Sequence, residues 1–277
     1  MGTLTGKVAF ISGIARGQGR SHALRLAGEG ADIIGIDICR DIDTMDYPNA
    51  APADLAETTK LIEQLGRRAV TSEADVRDLA AVKRAVDDGV AELGRLDIVL
   101  SNAGIVRLHP DAEDPARLWQ DIVGTNMTGG FHVVTAAVPH LIAGGRGGVI
   151  ILTGSTAGVR PVANPGVGAL AYTASKWGLV GMCKQLAATL AEHSIRVNIV
   201  HPTGVASGMT MNAAMAELAE QAMSAGDASG LAAMQNAMPV QILQPEDISD
   251  AVAFLVSDQA KWITGVSLPV DAGFSVR

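Results

Sequence analysis

The chain has 277 residues, 48% hydrophobic but only 3% aromatic, with 31 glycines and a formal net charge of -8. That length buries a substantial core in one large domain or two small ones. The acidity, with no Lys/Arg run interleaved with aromatics, excludes the electrostatic footprint of a nucleic-acid binder, and no apolar stretch approaches the roughly 20 residues that span a bilayer.

The N-terminus lacks a charged segment followed by a long apolar run, so a cytoplasmic protein is expected, with neither nucleic acid nor membrane as partner. Cys39 and Cys183 lie far apart and give no disulfide framework and no metal-ligand spacing. No metal site is expected.

In chain order, Val8 to Ser12 is a short apolar run ending at glycine, followed by a helical pattern through Leu24 and Leu26 and a second apolar run from Ile33 to Ile36. The alternation continues. Further strands are expected at Ala69 to Ser72, Ile98 to Ser101, Val149 to Leu152, Arg196 to Val200 and Val266 to Pro269. Helices are expected at Asp54 to Leu65, Leu79 to Leu93, Pro115 to Ile142, Tyr172 to His193 and Pro245 to Val256. The strands read as nearly continuous apolar runs, which suits a sheet covered on both faces. The expected product is an α/β, single-domain Rossmann fold over residues 1–277, a doubly wound parallel sheet of about seven strands.

Two segments break the rhythm. Cys39 to Ala53 is a long acidic loop with two prolines and Tyr47, and loops of this length inside a compact domain tend to be functional. Val205 to Leu243 carries six of the ten methionines, at 209, 211, 215, 223, 234 and 238. Flexible thioethers suit a surface that adapts to apolar ligands; a helical hairpin packing Met into its own core explains them equally well.

Gly13, Gly17 and Gly19 fall between the first strand and the first helix. Glycines let the backbone approach a pyrophosphate, and the helix N-terminus supplies amide donors and the positive end of a dipole. Arg16 and Gln18 lie within this loop; Arg16 and Arg20 flank it with charge. Asp37 ends the second strand, 24 residues after Gly13, where an acid accepts hydrogen bonds from adenosine ribose hydroxyls and repels a 2'-phosphate. No basic residue immediately precedes it, so NAD is expected over NADP, although a turn-forming Asp is the plain alternative.

Tyr172 and Lys176 stand four apart on one helical face, on what reads as the first turn of a helix, with Ser155 upstream. A phenol, with a reference pKa of about 10, becomes a usable general acid or base when a fixed cation favours its phenolate.

These residues, in order, resemble the short-chain dehydrogenase/reductase family over essentially the whole chain. The landmarks are the glycine loop, Ser-Asn-Ala-Gly at 101–104, Asn126 with Gly129, and Ser155 with Tyr172 and Lys176. The resemblance implies an adenine contact at Asp75 and Val76, cofactor contacts at Ile38, Asn102, Ala103 and Gly104, and a nicotinamide carboxamide contact over Pro202 to Val205. Ala-Arg-Gly-Gln-Gly-Arg-Ser-His at 15–22, Gly-Ile-Asp-Ile-Cys at 35–39 and Thr-Gly-Val-Ser-Leu-Pro-Val-Asp-Ala-Gly at 264–273 resemble the carveol dehydrogenase subgroup, also called mycofactocin-coupled. Members carry an insertion after the second strand thought to cover a tightly held NAD, which implies a cofactor lid near 39–53, with a substrate lid near 205–243.

The implied chemistry is interconversion of a secondary alcohol and a ketone. Tyr172 is the general acid/base, Lys176 lowers its pKa and binds the nicotinamide ribose, Ser155 holds the substrate oxygen, and Asn126 holds a relay water. Seventeen positions separate Ser155 from Tyr172, against about thirteen in most of the family, and Pro-Thr-Gly at 202–204 replaces the usual Pro-Gly. The weakly charged Met-rich segment favours an apolar, terpenoid- or steroid-like substrate. Arg107 and Arg160 keep open a 3-oxoacyl-thioester reductase, and a catalytically silent NAD-binding sensor or scaffold is the alternative of another class. A homotetramer is implied, and an external electron acceptor if NAD does not exchange.

Overall fold

Every residue of β1 (Val8–Ser12) and β2 (Asp32–Asp37) is buried, because side chains that alternate across these strands enter two cores. Val8 and Phe10 face one and Ala9 and Ile11 the other. The computed structural model describes residues 2–162, 164–224 and 235–277, with residues 222 and 223 as backbone only.

β3 (Ala69–Glu73), β4 (Ile98–Ser101), β5 (Gly148–Thr153), β6 (Ile195–Pro202) and β7 (Ser267–Val270) complete a parallel sheet of order β3-β2-β1-β4-β5-β6-β7. The order reverses between β1 and β4, and the crevice outside the carboxyl ends at such a switch point is where doubly wound sheets bind ligands.

One face carries α1 (Gly17–Gly28), α2 (Pro52–Gln64) and α8 (Pro245–Val256), which bury Leu26, Ile62, Ile248 and Val252 against Ile11, Ile33 and Leu100. The other carries α3 (Leu79–Leu93), α5 (Gly129–Gly144) and α6 (Val167–Leu190), burying Val86, Val133 and Leu179 against Phe10, Ile34 and Ile150. Each such side chain contributes about 1.5–3 kcal/mol relative to exposure. α4 (Pro115–Val123) packs on α6, and α7 (Ala213–Ser224) lies in the Met-rich segment. Among the described residues no helix is long and apolar enough to cross a membrane.

Two expected elements differ. The single helix over Pro115 to Ile142 is interrupted by a π-helical turn, Gly124–Thr128, which carries Asn126. The helix expected to begin at Tyr172 begins at Val167, so Tyr172 stands in its second turn. Gly168 conceals that start. A Cβ there would lie 2.0 Å from the Arg107 carbonyl oxygen, so a poor helix former is required inside the first turn.

Candidate active site

The β1–α1 turn needs its glycines. Gly13 and Gly17 have φ of 70° and 56°, and a Cβ on Gly19 would fall 1.9 Å from the Gly13 carbonyl oxygen. The N-cap of α1, Arg16, makes no side-chain capping bond, and its first turn has no acid. The orphan amides and the positive dipole end therefore stay available to an anion. Gln18 and Thr125 also line the cleft, and Gln18 Oε1 and Thr125 Oγ1 are buried without a hydrogen-bond partner among the described residues.

Asp37 lies at the cleft at the end of β2. Its Oδ2 accepts from the Ala15 amide at 2.9 Å, and burial pushes its carboxyl upward against the pull of neighbouring amides. Ile38, Asp75 and Val76 line the same wall. Burial pushes Asp75 up, but Arg77 at 2.7 Å and Arg40 at 3.3 Å outweigh it and hold the carboxyl below its usual range. Asn102, Ala103 and Gly104 form the floor. Asn102 Nδ2 donates to the carbonyls of Ser12 and Gly13 at 3.2 and 3.3 Å, tying the ends of β4 and β1 together across the switch point.

Beyond Gly104 the polar residues converge. A Cβ on Gly104 would sit 3.4 Å from Asn126 Oδ1 and 3.6 Å from Lys176 Nζ. Asn126 has its side chain engaged: Oδ1 accepts from the Ile105 amide at 2.8 Å, and Nδ2 donates to the Ile105 carbonyl at 2.9 Å and to Ser175 Oγ at 3.3 Å. Lys176 is 3% exposed and donates to the Thr153 carbonyl at 2.7 Å. Burial lowers its pKa to about 7. Burial raises that of the Tyr172 phenol, and a hydrogen bond with Ser155 lowers it.

Lys176 and Tyr172 are neighbours on α6. The ammonium lies over the ring, 5.4 Å from its centroid, held by a strand carbonyl. Burial raises the pKa of the phenol, and Ser155 pulls it down.

Pro202 ends β6 opposite Val270, and Val205 is 3% exposed in the core, bridging Leu243. Neither lines the cleft. Arg107 and Arg160 are engaged within the chain. Arg107 holds the Thr44 and Asp111 carbonyls at 3.1 and 2.8 Å and Asp46 at 3.5 Å. Arg160 donates to the Phe274 carbonyl and stacks on its ring, which anchors the longer Ser155–Tyr172 connection to the C-terminal residues.

Sequence reasoning missed Ile42, Tyr47, Asn49 and Ala50 from the 39–53 loop and Ser207, Gly208 and Met209 opposite, all lining the cleft. The rarity of tyrosine was the available signal. Tyr47 Oη accepts from the Val106 amide at 3.2 Å and is close enough for Tyr172 to raise its pKa, which burial pushes to about 12. Arg16 donates to the Pro48 carbonyl, and a Cβ on Gly208 would lie 2.9 Å from its Cζ. One guanidinium thus touches both segments flanking the cleft. Met211 and Met238 are exposed, while the Met223 side chain, Met234 and residues 225–234 of the expected 205–243 lid lie outside the described residues.

A switch-point cleft walled by a phosphate-type turn, with Lys176 beside its Gly104 and Tyr172 next to that lysine, defines an oxidoreductase of the doubly wound class. The family model for short chain dehydrogenases matches residues 7–218, and the chain belongs to that family. It is similar to (-)-trans-carveol dehydrogenase of Rhodococcus erythropolis, 42% identical over 281 residues covering 100% of each chain. Among solved structures, carveol dehydrogenase from Mycobacterium avium in complex with NAD superposes with a TM-score of 0.92 at 47% identity, with 100% of each chain covered. A short chain dehydrogenase from Mycobacterium paratuberculosis bound to NAD gives 0.92 at 42%, again over 100% of each.

Proposed function

We propose that the chain is an NAD-dependent dehydrogenase interconverting an apolar, terpenoid- or steroid-like secondary alcohol and its ketone. The observation that carries this reading is buried Lys176, its ammonium 5.4 Å from the Tyr172 ring centroid and beside Gly104 of the cleft. The cleft fits the cofactor. The uncapped α1 N-terminus suits the diphosphate, the unpartnered Gln18 and Thr125 oxygens suit hydroxyl or amide donors of the cofactor, and Asp37 suits a ribose without a 2'-phosphate. When bound, the nicotinamide accepts or returns hydride.

Tyr172 removes the alcohol proton, Ser155 holds the same oxygen and stabilises charge as it develops, and Lys176 meets the nicotinamide ribose. With the Asn126 side chain engaged, a relay water belongs on its main chain in the wide π turn, the kind of helix irregularity found at functional sites. Ile42 and Met45 of the 39–53 loop pack on Leu118 and Ile122, which supports reading the loop as a cofactor lid. A retained NAD then calls for an external electron acceptor. Exposed Trp119, Phe131 and Trp177 on α4, α5 and α6 support a homotetramer built on these helices, and a cytoplasmic location accords with the whole.

Turnover with NAD or NADP, tested on (-)-trans-carveol, cyclic and steroid alcohols and acyl thioesters, checks the substrate class. Apolar alcohols with NAD are the expected substrates. Preference for a 3-oxoacyl thioester would replace the reading by the reductase, and no turnover on any of them by a sensor.

A further inference from the structure

The end of strand β6 brings an imidazole against the backbone of the serine proposed to hold the substrate oxygen. His201 is fully buried, at 0% exposure. Its Nδ1 lies 2.7 Å from the Ser155 carbonyl oxygen and 3.3 Å from the Ser155 amide nitrogen, and its Nε2 lies 2.6 Å from Ser267 Oγ on β7. The shorter Nδ1 contact assigns the proton to Nδ1, which donates to the carbonyl, and leaves Nε2 to accept from the Ser267 hydroxyl.

The surrounding chain is shaped to admit this ring. A Cβ on Gly154 would lie 2.5 Å from His201 Nδ1, and one on Gly158 3.1 Å from Cε1. Gly154 leaves room for the ring, with the Val200 carbonyl oxygen also 2.9 Å away, and Gly158 leaves room for the ring and the Lys176 carbonyl oxygen, each at 3.1 Å. Within that turn Ser155 is extended, with φ -173° and ψ 162°, and its Oγ accepts from the Ala157 amide at 3.1 Å. An apolar side chain would fill the slot without the cost of burying two ring nitrogens. The polar ring has both nitrogens partnered, one to the serine and one to the sheet.

We propose that His201 is the positioning residue of the catalytic serine: wedged between Gly154 and Gly158 and braced by Ser267, its ring fixes the Ser155 backbone and so the direction from which the Ser155 hydroxyl meets Tyr172. The proposal rests on the reading that Ser155 and Tyr172 carry the proton transfer. The charged groups facing the ring are Lys176 from α6 and Asp271 beyond β7, which act on it in opposite senses, while burial keeps it neutral. His201 touches neither cofactor nor substrate in this role; it acts through Ser155. Ser155 lowers the Tyr172 pKa, so loss of the brace moves the tyrosine's titration as well as the rate.

The test uses the full chain oxidising (-)-trans-carveol with NAD, comparing wild type, His201→Leu, His201→Asn, Ser267→Ala and Tyr172→Phe by kcat, KM for NAD, pH profile of kcat/KM and thermal unfolding. His201→Leu is expected to lower kcat by about 10- to 100-fold, the scale of a small misplacement of a reacting group. It should also move the rising limb of the profile to higher pH and leave KM for NAD near wild type. His201→Asn, whose amide nitrogen stands near Nδ1, recovers most of both. Ser267→Ala, a milder change for the fold, shifts the profile in the same direction by less. An unmoved profile in both folded His201→Leu and Ser267→Ala, or in Ser267→Ala alone if His201→Leu does not fold, overturns the proposal, as does equal loss in the Asn and Leu variants. Near-normal turnover in Tyr172→Phe would instead remove the reading beneath it, whereas an inactive Tyr172→Phe beside wild-type profiles in the His201 and Ser267 variants would remove this proposal alone.

Discussion

His22, on the buried face of α1, is 1% exposed, with Nδ1 2.8 Å from Ser249 Oγ of α8 and Nε2 without a partner among the described residues. Burial lowers its pKa to about 4, from an ordinary value near 6.5. The unfolded chain therefore takes up a proton that the folded chain refuses, and stability falls as pH drops through the window from about 6.5 to about 4. Between pH 7 and pH 5 the loss is about 2 kcal/mol. The acid arm of Glu29, held down to about 2 first by its bond from Arg25, titrates below that range. Urea unfolding at the two pH values should show a loss smaller by about this amount in His22→Gln than in wild type, buried His201 keeping its own share in both; the same pH difference in both would refute it. Individual side chains were legible where chemistry fixes spacing, as at Gly13, Asp37, Ser155, Tyr172 and Lys176. They were illegible where burial decides. Nothing local in the sequence says that Lys176 points at a strand carbonyl or that the Val205 side chain turns into the core.

At the scale of elements, the 39–53 loop is fastened by contacts of unequal worth. The Asp43–Arg117 pair at 2.7 Å is exposed and counts for little. Thr44 Oγ1 donates to Asp121 at 2.7 Å, Tyr47 meets the Val106 amide, and Ile42, 7% exposed, packs with Leu118, Ile122 and Ala171. If the loop gates the cofactor, Ile42→Ala removes a buried aliphatic contact worth about 2 kcal/mol or more and should speed NAD release by at least about tenfold, read from the loss of bound NAD on dilution. Release at the wild-type rate would show that the loop does not gate it. The sequence marked this loop through its length and acidity, since an excursion breaks the βα rhythm. The π turn left no mark, because one extra residue hardly disturbs an apolar period, and the start of α6 was hidden by glycine serving a close approach to Arg107.

For the whole molecule, continuous apolar runs and their alternation with helices specified the parallel sheet, because strands buried on both faces have no polar side to show. Assembly was less legible. Gly178 of α6 packs internally, where a Cβ would lie 2.3 Å from Met127 Sδ, whereas Gly181 faces open space, and composition does not separate the two. In the proposed function, sheet, cleft and loops converge on one proton, passed at Tyr172. The most direct measurement is therefore turnover of (-)-trans-carveol with NAD by Tyr172→Phe, beside NAD binding by the same variant. The account predicts unchanged NAD binding with kcat reduced at least about 100-fold, the worth of a general acid/base; turnover near that of wild type would contradict it.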